Sequence, residues 1–230
     1  MSSKIFVHVP KNAGMTIRHS PMLKDKILVN NTSRHINQKY VDGLTEQMRK
    51  TNDHLGAEHA RWRDLRKDYR DQFQSFAVVR NPWDRVVSRY FFAKKVIEVE
   101  KKSPSSYADV SSFEAFLEER FKWGETEFMW HRAVRGWYQT WDHVSDQMGI
   151  QCMTDNMRFG HLNEDICKYF DIPEMSRSRN VTALNKGTYQ DLYNKDTIQI
   201  VADWYKKDID FWGFDFDTDA QKNYWNEEEL

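Results

Sequence analysis

The stretch SFAVVRNPWDRVVSRY, residues 75–90, decides the fold of this chain. Its first five residues, Ser75–Val79, form an apolar run, which is typical of a strand buried on both faces. Asn81 and Pro82 follow at once, and an asparagine N-cap before a proline at the first helical position is a strong signal for the start of a helix. The stretch therefore predicts a buried strand that leads directly into a helix.

A second unit of this kind stands near the N-terminus. Lys4–Val9 has the composition of a short buried strand, and Pro10–Thr16 follows it as a loop of small residues. Lys26–Val29 is a possible further strand, and Pro21 limits the intervening helix to a short or kinked one. Strands that alternate with helices predict an α/β fold with a small central parallel β-sheet flanked by helices.

Helical spacing of apolar residues predicts the remaining elements. The helix that begins at Pro82 is expected to reach about Lys101, and Ser176–Tyr189 is polar and loop-like. Because no linker or repeat interrupts them, residues 1–230 are predicted to form a single domain, with a flexible acidic tail at 217–230. Further helices are predicted at Asp42–Lys50, Arg61–Tyr69, Phe113–Trp123, Glu127–Met148, within Met157–Tyr169 and at Lys195–Asp208.

Composition limits the classes of protein to which the chain can belong. Charged residues make up 30% of the 230 residues, which is typical of a soluble protein. No apolar run approaches the roughly 20 residues of a membrane span. The N-terminus lacks the pattern of a signal peptide, so we expect a cytoplasmic location. Cys152 and Cys167 form neither a metal-binding pattern nor a disulfide framework, which predicts two reduced thiols.

Charge is distributed unevenly along the chain, although the net charge is only -1. Residues 1–95 hold 19 Lys and Arg against 9 Asp and Glu, whereas residues 96–230 hold 15 against 26. This asymmetry indicates an anionic ligand on the N-terminal half. The alternative is that the two halves neutralise each other across the fold.

The loop at Pro10–Thr16 has residues suited to an anion. Its small residues allow backbone N–H groups to approach a ligand, and the following helix adds partial positive charge. Lys11 supplies a full charge and Thr16 a hydroxyl donor, although the loop is not a Walker A motif. A plain structural turn is the alternative interpretation.

The first stretch adds a second set of candidate anion ligands. The strand delivers Arg80 to its carboxyl end, where ligands of α/β sheets bind. Arg85, Ser88 and Arg89 follow at helical spacing, and arginine forks with a hydroxyl suit a terminal phosphate. The alternative is that Arg80 forms a salt bridge with Asp84 and that Ser88 is a small packing residue.

Together, the two segments resemble a known family. The first is similar to the 5'-phosphosulfate loop of sulfotransferases that use 3'-phosphoadenylyl sulfate (PAPS), whose carbohydrate branch shows His-x-Pro-Lys-Thr-Ala-Gly-Thr-Ser/Thr after a strand. The second resembles that family's 3'-phosphate motif, Arg-Asn-Pro-x-Asp-Arg-x-x-Ser-x-Tyr, at every fixed position. Two departures stand in the first loop, where Asn12 and Met15 replace the usual threonines. The second replacement removes a hydroxyl contact and weakens the expected cofactor site.

The resemblance implies a P-loop nucleotide-kinase-like α/β fold, PAPS as cofactor and 3',5'-ADP as product. It implies that Lys11 neutralises the departing phosphate and that Arg80 and Ser88 bind the 3'-phosphate. A weaker similarity implies that Asn185 and Lys186 close over the cofactor. The cofactor-binding residues so implied are Lys11, Asn12, Ala13, Gly14, Met15, Thr16, Arg80, Ser88, Asn185 and Lys186; no metal ligand is implied.

A general base is needed to activate the acceptor hydroxyl. The resemblance makes His59 the first candidate, with Lys11 as the other catalytic residue, and a structural or substrate-binding role is the alternative for His59. Glu58 is a candidate to orient His59. His8 fits a structural role better, and His54, His131 and His143 are possible substrate-pocket residues.

The expected acceptor is a hydroxylated molecule, and the resemblance implies a carbohydrate. The sequence indicates neither a nucleic-acid partner nor a membrane span, and it leaves the oligomeric state open. The aromatic and arginine residues of Trp123–His143 suit a sugar, although helix packing explains their spacing equally well. Three alternatives to the sulfotransferase remain: a nucleotide kinase-like phosphotransferase, a nucleic-acid-binding module, and a degenerate nucleotide-binding fold without turnover.

Overall fold

A computed structural model describes residues 3–30, 34–51, 56–99, 109–123, 136–153, 155–175, 188–218 and 220. Its centre is a four-stranded sheet in which every pairing is parallel and the strand order is β2-β1-β3-β4. The strands are β1 (Lys4–Val7), β2 (Ile27–Val29), β3 (Ser75–Val79) and β4 (Asp155–Arg158). The predicted α/β class with a small parallel sheet is confirmed.

Each of the two central strands carries apolar side chains on both faces because helices cover the sheet on both sides. Phe6 pairs with Phe76 across β1 and β3, and both belong to one hydrophobic cluster. Their neighbours Val7 and Ala77 pair in the same register and belong to a second cluster on the opposite face. The sheet therefore separates two cores, which holds the carboxyl ends of β1 and β3 side by side.

The described helices surround this sheet. The first helix follows β1 after a loop, and the fourth follows β3 after two residues. The fourth begins where the sequence predicts, because Asn81 accepts hydrogen bonds from the backbone N–H groups of Trp83 and Asp84 at 3.0 and 3.4 Å. The helices are α1 (Gly14–Arg18), α2 (Gln38–Thr51), α3 (Lys67–Arg70), α4 (Pro82–Lys94), α5 (Phe113–Trp123), α6 (Thr140–Val144), α7 (Leu162–Phe170), α8 (Lys195–Trp204) and α9 (Lys206–Trp212).

Three predicted helices are wrong in part. Arg61–Tyr69 is broken because Leu65 pairs with Ile36 in an isolated bridge, which keeps its backbone extended between the short 3-10 helix Trp62–Asp64 and α3. Met157 lies in β4, so the helix predicted within Met157–Tyr169 begins only at Leu162. Lys195–Asp208 is two helices that meet at Tyr205.

Two further predictions fall partly on residues outside the described ranges. Of Glu127–Met148, the described part is helical only at Thr140–Val144, where α6 is short. The helix predicted to reach Lys101 ends as α-helix at Lys94 and continues as one π-helical segment, Lys95–Val99. Within the part of the chain that the structure describes, no helix is both long and apolar enough to cross a membrane.

Candidate functional site

The loop between β1 and α1 has an unusual backbone. Lys11 and Ala13 both adopt left-handed conformations, with φ of 70° and 59°. A residue other than glycine costs roughly 1–3 kcal/mol in this conformation. It keeps the conformation only where the surrounding structure holds it. Alternation of right- and left-handed residues turns successive N–H groups toward one point, and the first amides of α1, at Gly14 and Met15, have no acceptor within the helix. The loop therefore has the backbone geometry that is typical of anion-binding concavities.

Three side-chain contacts from β3, α4 and the loop itself hold this backbone. Arg80 Nη1 donates to the carbonyl oxygen of Lys11 at 2.6 Å. Arg85 Nε donates to the carbonyl oxygen of Pro10 at 3.0 Å. In the reverse direction, Asn12 Nδ2 donates to the carbonyl oxygen of Val78 at 2.6 Å. The two motifs that the sequence places about 70 residues apart thus form one site.

Arg80 is also paired with a carboxylate. Its Nε and Nη2 donate to the two oxygens of Asp84 at 2.7 and 2.9 Å, and its guanidinium stacks 4.0 Å from the ring of Phe159. The salt bridge considered from the sequence is therefore present. Described residues engage three of its five N–H groups, including the one that donates to Lys11. Ser88 lies in the second turn of α4 and is 8% exposed.

The ammonium group of Lys11 lies among other positive charges. Its Nζ is 4.4 Å from the centre of the Phe92 ring on α4. Burial, followed by the nearby charges of Arg80, Arg89 and Lys95, lowers the pKa of Lys11 to about 7. Such a concentration of positive charge is offset when an anion binds. Arg89 is one of the candidate anion ligands predicted from the sequence, whereas Lys95 is not, although its helical spacing from Phe92 was a usable signal.

Asn12 and Met15, which stand where the related motif has threonines, differ in how far they are buried. The side chain of Asn12 is buried, and the backbone N–H of Asn12 donates to the carbonyl oxygen of Val9 at 3.3 Å. Its backbone N–H and its Nδ2 group therefore both help to hold the loop. Met15 is exposed on α1, whereas Thr16 is buried beside it. Contacts of these residues with a cofactor stay a prediction.

His59 lies next to this loop. It ends a 3-10 helix, Ala57–His59, that follows the left-handed Gly56. Its Nδ1 is 3.0 Å from the carbonyl oxygen of His8. Because a carbonyl only accepts, Nδ1 carries a proton, and in the neutral ring Nε2 then carries the lone pair. That Nε2 is 3.9 Å from Glu58 Oε1, which also lies 3.7 Å from Arg18 Nη1. His59 thus has Nδ1 directed at the β1–α1 segment and Nε2 on the side of Glu58.

The ring of His8 lies between His59 and the loop. The two imidazole rings are 4.3 Å apart. A Cβ atom added to Gly14 would be 1.6 Å from Nε2 of His8, so this position accepts only glycine. His8 is buried at the carboxyl end of β1, and the structural role predicted for it agrees with this packing.

Of the three histidines considered for a substrate pocket, His143 is fully buried instead. Burial, followed by the charge of Arg85, lowers its pKa well below the usual value, so the imidazole is neutral. Nearby, Asp208 accepts from the backbone N–H groups of Thr140 and Trp141 at 2.7 and 2.8 Å. His143 is thus an interior residue, while His54 and His131 lie outside the described residues.

The C-terminal part of the chain packs on the start of α4. Asn81 Nδ2 donates to the carbonyl oxygens of Asp215 and Thr218 at 2.8 and 2.7 Å, and Tyr193 Oη donates to the carbonyl oxygen of Trp83 at 2.9 Å. The N-cap residue of α4 is therefore also the anchor of the segment that follows Trp212. Asn185 and Lys186, predicted to close over the cofactor, lie outside the described residues.

Comparisons with known proteins agree with this geometry. A family model described as "Sulfotransferase family" matches residues 3–215, which include β1 to β4, both motifs and the C-terminal helices. No curated protein and no solved structure matches the chain.

Proposed function

The chain belongs to the sulfotransferase family, and from this premise we propose that it transfers a sulfuryl group from PAPS to a hydroxyl of a carbohydrate acceptor. The observation that carries the proposal is the loop around Lys11, in which left-handed backbone residues and four converging cations form a site for a multivalent anion. The resemblance of both motifs to the carbohydrate branch supports the acceptor class.

The proposed reaction is an in-line displacement at sulfur. The acceptor oxygen forms a bond to sulfur while the bond from sulfur to the bridging phosphate oxygen breaks, and 3',5'-ADP leaves. Lys11 stabilises the negative charge that develops on the bridging oxygen, and the amides of Ala13–Met15 hold the 5'-phosphate. Arg80 and Ser88 bind the 3'-phosphate. This contact selects the cofactor and takes no part in the transfer step.

His59 is the proposed general base. Its Nε2 carries the lone pair because Nδ1–H donates to the carbonyl oxygen of His8. In the reaction Nε2 accepts the proton of the attacking hydroxyl. The same hydrogen bond stabilises the imidazolium that results, since Nδ1–H becomes a stronger donor when the ring is charged.

A degenerate fold without turnover is the second candidate, and a specific observation favours it. Asn12 has no hydroxyl, and its backbone N–H and Nδ2 group each donate within the protein, so it does not replace the contacts of the threonine in the related motif. Binding and turnover must therefore be measured separately.

Calorimetric titration with 3',5'-ADP, beside ATP and 5'-AMP, tests the proposal. We expect the bisphosphate to bind most tightly, and Arg80→Ala to weaken it by about tenfold to a hundredfold, the range for lost charge-assisted hydrogen bonds. Arg49→Ala is the matched control, because Arg49 is exposed and pairs only with Glu46 among the described residues. Equal binding of ATP, or no binding, would overturn the cofactor assignment. An acceptor screen with radiolabelled PAPS then measures turnover.

A further inference from the structure

A cavity of about 530 Å³ lies away from the Lys11 loop. Its walls come from three parts of the chain: the start of α2 with the residues before it, the segment from Arg63 to Arg70, and Gln147. None of its lining residues belongs to the Pro10–Thr16 loop or to the segment from Arg80 to Ser88. It is therefore a separate site, and the inference drawn from it does not rest on the proposed function.

The lining of this cavity is strongly basic. Four of the lining residues are cationic and only one, Asp68, is anionic. Arg66 is satisfied by Asp68, with two hydrogen bonds of 3.0 and 2.7 Å, and Lys67 pairs with Asp71 at 2.5 Å. These two pairs are exposed and need no further partner. The remaining two cations are Arg63 and Arg70.

Arg63 and Arg70 differ from Arg66 and Lys67, because neighbouring carboxylates and hydrogen-bond acceptors satisfy them only in part. Among the described residues, the buried Nε of each has no hydrogen-bond partner. Arg63 Nη2 donates to the carbonyl oxygen of Asp142 at 3.0 Å, but its nearest carboxylate oxygen is 3.9 Å away. Arg70 forms no ion pair with any described residue, and its guanidinium lies 4.2 Å above the ring of Trp62. Two guanidinium groups thus line one cavity: among the described residues, Arg63 has only the long contact with Asp142 as an ion pair, and Arg70 has none.

We propose that this cavity binds an oxyanion group, a sulfate or phosphate, in the fork of Arg63 and Arg70. Guanidinium groups match the oxygens of such an anion, and charge-assisted bonds from these two groups would offset positive charges that the described carboxylates match only in part. The side-chain amides of Asn37, Gln38 and Gln147 line the same cavity and suit hydroxyl groups on a scaffold that bears the anion.

Electrostatics support this assignment independently of the cavity. Burial, followed by the charge of Arg61, lowers the pKa of Arg63, so an added anion would relieve an unfavourable environment. Burial and the charge of Asp146 raise the pKa of the Cys152 thiol, and the charges of Arg70 and Arg63 lower it.

Nuclear magnetic resonance of the arginine Nε–Hε groups tests the proposal directly. Sodium sulfate and sodium phosphate are titrated at constant ionic strength against a chloride reference, with and without 3',5'-ADP to occupy the other anion site. We expect the Hε resonances of Arg63 and Arg70 to shift in a saturable manner with either oxyanion and not with chloride. Arg63→Lys and Arg70→Lys assign the resonances, and each weakens binding by about tenfold.

Arg66→Lys is the matched control within the cavity, because Asp68 already satisfies Arg66; less than a twofold change is expected. Glucose 6-sulfate distinguishes the source of the anion. Tighter binding than inorganic sulfate assigns the site to an oxyanion carried on a sugar, and equal binding assigns it to the free ion. Three results would overturn the proposal: resonance shifts that stay linear with oxyanion concentration, shifts that chloride reproduces, or shifts that leave Arg63 and Arg70 of the wild-type protein unchanged.

Discussion

Arg80 Nη1 donates a hydrogen bond of 2.6 Å to the main-chain carbonyl oxygen of Lys11, joining residues 69 positions apart in the chain. The contact links the strand-end arginine of β3 to the left-handed residue of the loop after β1. Because Arg80 is itself held by both oxygens of Asp84, the position of the loop depends on a rigid element. Cofactor binding at one motif is therefore expected to depend on the other.

Replacing Lys11 with alanine separates binding from turnover. We expect turnover with PAPS to fall by about a hundredfold or more, because a preorganised charge at the leaving oxygen is lost. Affinity for 3',5'-ADP should fall less, since this product lacks the sulfuryl group. Lys24→Ala, at an exposed position, is the control. A wild-type protein that binds the cofactor but has no turnover to lose would establish the degenerate fold.

Affinity for 3',5'-ADP should rise as the pH falls from about 8 to 6. The pKa of Lys11 is about 7 in the free protein, and a bound anion favours the charged form, which raises that pKa. Binding therefore takes up a proton, and the uptake is largest above pH 7. Calorimetry in buffers of different ionisation enthalpy measures it. Lys11→Arg stays charged throughout and should remove this contribution; an unchanged proton uptake would contradict the assignment to Lys11.

Gly14→Ala should destabilise the protein and abolish 3',5'-ADP binding. The added Cβ would lie 1.6 Å from Nε2 of the buried His8, so the ring or the start of α1 must move. Such overpacking typically costs about 1–3 kcal/mol of unfolding free energy. Chemical denaturation provides the measurement. The double variant His8→Ala with Gly14→Ala removes the clash and should recover part of the loss; additive effects of the two changes would argue against it.

His59→Gln should lower turnover by about 10²–10⁴-fold, the usual contribution of a general base, and leave 3',5'-ADP affinity nearly unchanged. His19→Gln, on the exposed end of α1, is the control. Nitrogen resonances of the wild-type imidazole should report the Nδ1–H tautomer, because Nδ1 donates to the carbonyl oxygen of His8. A proton on Nε2 in the free protein would contradict the role of base.

The sequence by itself determined the elements whose causes are local. Ser75–Val79 is apolar at four of its five positions, which predicts a buried strand, and Asn81 and Pro82 start α4 through the side-chain cap of the one and the ring of the other. The family and the α/β class follow from these units and are confirmed. Roles of single residues, such as Arg80 in binding the cofactor, stay predictions.

The tertiary structure alone decided the features that depend on distant partners. Asp155–Arg158 is a strand only because β3 pairs with it; its polar composition carries no strand signal. Lys11 and Ala13 take left-handed conformations that their side chains do not favour, and contacts from Arg80 and Asn12 hold them there. The preference of a segment for helix or strand depends on its own residues and their near neighbours, so the sequence shows it. Strain at a binding loop is offset by hydrogen bonds that form only when the chain has folded, so only the tertiary structure shows it.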